Sequence, residues 1–325
     1  MFRRLAFILL ALGLILTACA PAATPISTVI PIETTIQTTA PTIAPTPVGI
    51  TLTDGLGREV KLASPAHKII SLAPSNTEIL FAIGAGSQVV GRDKYSDYPD
   101  AAKSVIDIGD TFKDLNTEQI VSLHPDLVLA AEINAPEQVK TLEDLGLTVY
   151  YLKNPTTLEE MYGNIETVAK LTGHEADATT LIASLKARVA AVDAKIATAT
   201  TKPTVFWELD ATDPAKPYTI GSGTFIDLLI QRAGGTNAAG TLKDQYPQVS
   251  LEQVVAWNPA FIVLSDAVYG VTAAAVKARP GWGKLNAVKA GNVVPVDDNL
   301  FSRPGPRLVD GLEALAKLLH PELFK

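Results

Sequence analysis

The sequence predicts an α/β protein made of two lobes joined by one long α-helix. Three features carry that expectation. Short apolar runs alternate with helical segments, the pattern of parallel strands covered on both faces. The stretch LNTEQIVSLHPDLVLA, residues 115–130, returns as VSLEQVVAWNPAFIVLS, residues 249–265, with Glu118/Glu252, Gln119/Gln253, Val121/Val255 and Pro125/Pro259 at matching offsets. Between the two copies, Ala, Leu, Val, Ile and Lys recur at helical spacing from Leu158 to about Thr198, broken by Gly163 and Gly173 alone, with LTGHEAD as the place for a bend. A helix of ~35 residues spans ~50 Å, longer than one lobe is wide.

Bulk properties narrow the class. The chain has 325 residues, enough for two ordinary domains, and 47% are apolar, so folded cores are expected. A formal net charge of −7 argues against a nucleic-acid binder, which needs a basic stripe. The start reads MFRRLAFILLALGLILTACA: two arginines, then an apolar run too short to span a bilayer comfortably, then small residues before Cys19. LTAC resembles the lipobox of bacterial lipoproteins, which implies cleavage before Cys19 and a lipid on its thiol. As Cys19 is the sole cysteine, a lipidated chain has no thiol left for a disulfide or a metal. Residues 20–48 are rich in Thr, Pro and Ala and nearly uncharged, the composition of an unfolded tether with a reach of up to ~90 Å.

In chain order, ITLTDGLGREVKL (50–62) reads as a β-hairpin around a Gly-containing turn. Lys68–Leu72 is a buried-type strand. Ser75 or Asn76 is expected to cap a helix over Thr77–Ile83. QVVGRD is a second strand. In the first repeat Asn116 serves as N-cap with Gln119 at N3, Ile120, Val121 and Leu123 form the apolar side of a short helix, and Pro125 ends it before the strand DLVLA. A helix at Pro136–Leu145 and the strand TVYYL follow. Past the long helix come the strand TVFWEL, the helix TFIDLLIQRAGG, the Ser250-capped helix LEQVVAW, the strand FIVLS, a helix around TAAAVKARPGW, the strand NVVPVD and a terminal helix. The expected segments are residues 1–18 as leader, 19–48 as lipidated Cys and tether, 49–157 as N-terminal lobe, 158–200 as connecting helix and 201–325 as C-terminal lobe.

The repeat invites two explanations. Capped helices before buried strands are common, and that packing grammar accounts for Val121/Val255 and Pro125/Pro259. It accounts less well for the acids, since many residues satisfy the first turn of a helix. An exposed acid at the same place in two lobes is also what a partner with two-fold symmetry would read.

KIISLAPSNTEILFAIGAG, RDKYSDYPDAAKSVIDIGDTFKDLNTEQIVSLHPDLVLA and YPQVSLEQVVAWNPAFIVLS together closely resemble the periplasmic binding proteins of cobalamin and iron-siderophore ABC importers. The likeness runs from about Ile50 to the C-terminus, and YSDYP and the two EQ[IV]V modules are its specific parts. It implies two α/β lobes on a helical backbone, a ligand cleft between them, and docking of Glu118 and Glu252 onto arginines of two identical permease subunits. It implies ligand contact by Tyr95, by Phe112 and Tyr246 where relatives carry tryptophans, and by Asn299, Leu300, Phe301, Ser302 and Arg303. Asn299 and Leu300 depart from the family pattern of an acid and a tryptophan, which weakens cobalamin as the specific ligand; a corrinoid stays the expected ligand, with a ferric siderophore as the alternative. Trp207, after the strand TVFWEL, is a further candidate, because flat aromatic faces suit a large, partly apolar ligand.

Other chemistry is not expected. His67, His124, His174 and His320 are scattered, with no i, i+4 pair for a metal. Tyr95 and Tyr98 suit stacking better than iron ligation. GSGTF (221–225) lacks the lysine of a phosphate loop and reads as a helix start. No nucleophile elbow or catalytic constellation stands out, so neither an enzyme nor a cofactor is expected. The expectation is a monomeric, lipid-anchored binding protein on the extracytoplasmic face of the membrane, with a metal-dependent enzyme or a sensor on a similar two-lobe fold as the alternatives.

Overall fold

The computed structural model describes residues 49–325. The leader, Cys19 and the tether fall outside the described residues. The hairpin pairs β1 (Ile50–Thr53) with β2 (Glu59–Leu62) in antiparallel register, Ile50 opposite Leu62. The N-lobe then builds β3 (Ile69–Ser71), α1 (Pro74–Ala82), β4 (Val89–Arg92), α2 (Thr117–Ser122), β5 (Leu127–Ala131), α3 (Pro136–Asp144) and β6 (Val149–Leu152). The C-lobe builds β7 (Thr204–Glu208), α6 (Phe225–Arg232), β8 (Thr236–Asn237), α7 (Leu251–Trp257), β9 (Phe261–Leu264), α8 (Ala273–Lys277), α9 (Asn286–Ala290), β10 (Val293–Pro295) and α10 (Leu308–Leu319).

Both four-stranded sheets are parallel, and their orders are β4-β3-β5-β6 and β8-β7-β9-β10. The two lobes therefore have the same topology, and the repeated sequence modules are the helix–strand pairs α2–β5 and α7–β9. Their caps are alike. The Asn116 side chain accepts the Gln119 amide at 3.2 Å, and the Ser250 hydroxyl accepts the Gln253 amide at 3.2 Å. Helix α1 differs from expectation. It starts at Pro74 with no side-chain cap, and Ser75 and Asn76 lie buried inside it. Proline at the first helical turn needs no amide partner, which lets the strand run almost directly into the helix.

The connecting segment also differs. It is two helices, α4 (Leu158–Thr172) and α5 (Glu175–Ile196). Gly173, at φ 78°, closes α4 in the left-handed conformation that other residues rarely adopt. The helices lie side by side, with the Lys186 ammonium 5.0 Å from the Tyr162 ring centroid. Helix α4 packs against α1 and α5 against α10, so the joining element is the 22-residue α5, ~33 Å long. Ion pairs fasten it to the C-lobe, from Arg188 to Asp310 and Glu313 and from Asp193 to Arg232.

Strand residues alternate in the direction they face. Ile70, Val128 and Val149 pack outward beneath α2 and α3, while Phe206, Ile262 and Val293 pack outward beneath α7, α8 and α9. The other faces, Ile69, Leu127 and Leu129 in one lobe and Val205, Trp207 and Val263 in the other, join one continuous core with α1, α4, α5, α6 and α10. One apolar core thus runs through both lobes. Its prediction is a single cooperative unfolding transition in denaturant, read by fluorescence and circular dichroism together. Leu312→Ala, in the shared helical layer, is expected to shift that transition as a whole by about 2–5 kcal/mol. Two separable transitions would contradict a shared core.

Candidate ligand-binding cleft

A parallel sheet leaves a crevice beyond the carboxyl ends of its strands where the strand order reverses. That point lies between β3 and β5 in one lobe and between β7 and β9 in the other. The loops leaving these ends meet across the lobes. A small crevice is lined by Ser75, Asn76, Lys153 and Asn154 of the N-lobe and by Pro304 of the C-terminal segment.

On the N-lobe side, the loop after β4 carries Tyr95. Its base is a hydrogen-bonded chain inside the protein. Buried Asp93 accepts the Tyr95 amide at 2.8 Å and the Ser96 hydroxyl, which meets Thr77 at 2.7 Å; Thr77 in turn donates to Ser71 at 2.8 Å. Burial pushes the Asp93 carboxyl up, against the opposing bonds from Ser96 and Tyr95. At the tip, Tyr95 and Phe112 stack edge to face with centroids 5.1 Å apart. Asp110 organises both, accepting the Tyr95 hydroxyl at 3.0 Å and the Phe112 amide at 3.2 Å. Tyr95 remains 39% and Phe112 48% exposed, an unusual degree for a packed aromatic pair.

The C-lobe places Tyr246 in the loop after β8, the topological counterpart of the Tyr95 loop. The Gly221 amide donates to the Gln245 carbonyl at 2.9 Å. A side chain at Gly221 would overlap the Asp244 carbonyl oxygen, so glycine is required for the loop to lie this close. The Tyr246 phenol is held above its ordinary value by burial and then by the Glu132 carboxylate, which belongs to the other lobe. Glu132 follows β5 directly and is a site residue that sequence reasoning missed.

Three of the expected ligand contacts have partners within the protein. Trp207 is fully buried and Phe301 nearly so, their rings edge to face at 4.9 Å within the shared core. Arg303 is committed elsewhere. It pairs with Glu78 at 3.2 Å and Asp97 at 2.7 Å and donates to the Tyr95 carbonyl at 3.2 Å. Arg307 adds bonds to Glu78 at 2.8 and 2.5 Å and lies 3.9 Å from the Tyr98 ring centroid. Glu78, on α1, is almost completely buried. This cluster ties the Tyr95–Tyr98 loop of one lobe to the C-terminal segment of the other. Of the remaining candidates, Asn299 bonds to Asp297 at 3.0 Å, the Ser302 hydroxyl donates to the Asp298 carbonyl at 3.0 Å, and Leu300 packs against the core.

At the C-lobe switch point, Glu208 and Asp266 end β7 and follow β9. Glu208 is paired with Arg279 at 2.8 Å. Asp266 accepts the Ala211 amide at 3.0 Å through Oδ2, while its Oδ1 is buried without a partner. Burial, and then Glu208, push the Asp266 carboxyl up to about 6.

Glu118 and Glu252 are both exposed on the first turns of α2 and α7. Val121 and Val255, expected among the apolar packing residues, are instead 37% and 39% exposed. Three residues apart on a helix, each acid and valine share a face. Beside Glu252 the surface dips into a depression lined by Leu251, Val255, Pro280 and Gly281.

Comparison with known proteins places this architecture. A model of the family described as periplasmic binding protein matches residues 69–300. The chain belongs to that family. A substrate-binding lipoprotein of an ABC transporter from Bacillus subtilis, itself uncharacterized, is 37% identical over 281 residues, covering 85% of this chain and 87% of the relative. The vitamin B12-binding protein of Salmonella typhimurium is 31% identical over 255 residues, covering 78% and 90%. The structure of an ABC-type Fe3+-hydroxamate transport system from Saccharomonospora viridis superposes with a TM-score of 0.68 at 27% identity, covering 83% of this chain and 98% of that one. The binding-protein fold accounts for two lobes of equal topology around a helical layer.

Asp266 gives this binding protein a testable pH dependence. Its folded pKa lies above the unfolded value, so the stability it contributes is complete below about pH 4 and is lost as pH rises through about 6. Asp266→Asn is expected to leave stability near pH 4 unchanged and to raise it at pH 8 by about 1–3 kcal/mol in urea titrations. A variant destabilised at pH 8 would contradict the assignment.

Proposed function

We propose that this protein is the extracytoplasmic substrate-binding component of an ABC importer. It captures a corrinoid in the cleft between its lobes and hands it to a two-fold symmetric permease, held to the membrane through a lipid on Cys19. The observation that carries this reading is the exposed Tyr95–Phe112 pair on the segment after β4, with Tyr246 on the equivalent loop of the other lobe. Flat apolar faces with polar edges suit a corrin ring fringed by amides. A ferric siderophore is the second reading. It is favoured by the departures at Asn299 and Leu300 and by the likeness to the hydroxamate system.

Delivery rests on the duplicated surface. Glu118 and Glu252 on equivalent helices suit two equivalent cationic sites, and paired rim charges set register and encounter rate more than affinity. The exposed valines beside them add an apolar contact. Nothing in this role requires catalysis, and the cleft is read as a binding site rather than an active site.

The two halves of the proposal separate by mutation. Tyr95→Ala or Phe112→Ala is expected to weaken ligand binding by about tenfold, or about 1.4 kcal/mol, with the fold intact by circular dichroism. Reversing both charges, Glu118→Lys with Glu252→Lys, is expected to abolish uptake by cells while calorimetry returns the wild-type Kd. A Kd that moved with the charge reversal would place those acids in the ligand site instead.

A further inference from the structure

The charges around the cleft are not neutral toward the ligand. Arg303 and Arg307, the guanidiniums at the junction of the lobes, are both spent on Glu78, and Arg303 on Asp97 as well. Arg58, Arg92, Arg188, Arg232 and Arg279 are ion-paired too, so every arginine among the described residues already holds a carboxylate. Lys94, next to Tyr95, lies 3.7 Å from Asp110. Lysines outside ion pairs, such as Lys153 in the crevice, are hydrated point charges. They lack the forked donor set that grips a planar carboxylate or catecholate.

Carboxylates, by contrast, stand outside ion pairs on the same loops. Glu132 is exposed, takes only the Asn154 amide at 2.7 Å, and acts electrostatically on Tyr246 across the cleft. Asp297, also exposed, takes hydrogen bonds from Asn299 alone, at 3.1 and 3.0 Å, and the guanidinium acting on it, that of Arg307, is already paired with Glu78. Asp298 accepts the Ser265 hydroxyl and no cation. A polyanionic ligand entering here would meet like charge with no guanidinium to offset the loss of its hydration.

We propose that the cleft selects by charge, accepting neutral or cationic ring-bearing ligands and rejecting polyanions of the same size. The proposal rests on the binding-cleft reading above and sharpens it to a ligand class: amide-fringed corrinoids or neutral ferric hydroxamates, and not ferric catecholates.

Two matched ligand pairs test it on the full-length protein by tryptophan fluorescence and calorimetry. The first pair is cobinamide and the same corrin with its amides hydrolysed to carboxylates. The second is a ferric hydroxamate and a ferric tris-catecholate. In whichever pair binds, the less anionic member is expected to bind at least about tenfold more tightly, and the gap to narrow in about 0.5 M salt, where charges are screened within a few ångströms. The double variant Glu132→Gln, Asp297→Asn is expected to narrow it by at least about threefold, by strengthening the polyanion's binding. Equal or tighter binding of the polyanion overturns charge selection and leaves the cleft as the binding site. Failure of all four ligands to bind overturns the cleft reading itself, and this inference with it.

Discussion

One buried carboxylate sets the geometry of this molecule. Glu78 stands on buried α1, in the N-lobe, and bonds Arg303 and Arg307 from the opposite lobe. A charge this deep is costly unless its oxygens are fully bonded, and removing one partner from such a group costs about 3–5 kcal/mol. The arrangement is therefore intolerant of displacement. It also reaches the loop of exposed aromatics, because Arg303 bonds the Tyr95 carbonyl and Asp97, and Arg307 stacks on Tyr98. The loop that presents the exposed aromatics is held by the lobe it faces.

Around that latch, the apolar core does the bulk of the stabilising. Each sheet turns one face toward a common layer of helices, and the clustered side chains of that layer are continuous from Ile69 to Val263. Domain closure in binding proteins with flexible linkers works by hinging at a few backbone positions. Here a swing of one lobe would shear packed helices and pull the Glu78 cluster apart. The shared core and the Glu78 cluster therefore favour a fixed relation between the lobes over a closing motion.

Much of this was legible locally. Strands β5 and β9 are continuous apolar runs, and the residues that cap α2 and α7 announce themselves as Asn116 and Ser250 three positions before a glutamine. The repeat of those modules anticipated two lobes of equal topology. What stayed hidden was whatever depends on distant residues. Nothing near Glu78 in the sequence signals Arg303, 225 positions away, although a charge among Thr77, Ile79 and Leu80 was a hint that it is buried and paired. Trp207 is a candidate by its aromatic face and Phe301 by the family resemblance of its segment, and packing places both rings in the core. Val121 and Val255 were read as core for the same reason, yet helices of six and seven residues turn them outward with the acids. The bend that LTGHEAD suggests is a full break, because Gly173 takes the left-handed conformation and ends the helix there.

The central claim is a cleft of fixed opening, and an interlobe distance measures it. Spin labels at Lys140→Cys on α3 and Lys277→Cys on α8, with Cys19→Ser so that no other thiol is present, report the separation of the outer faces with and without saturating ligand. A shared core and an intact Glu78 latch predict a shift in mean distance under about 2 Å, the range of complexes that form without rearrangement. A larger shift, with the lobes closing together on the ligand, would contradict the fixed cleft.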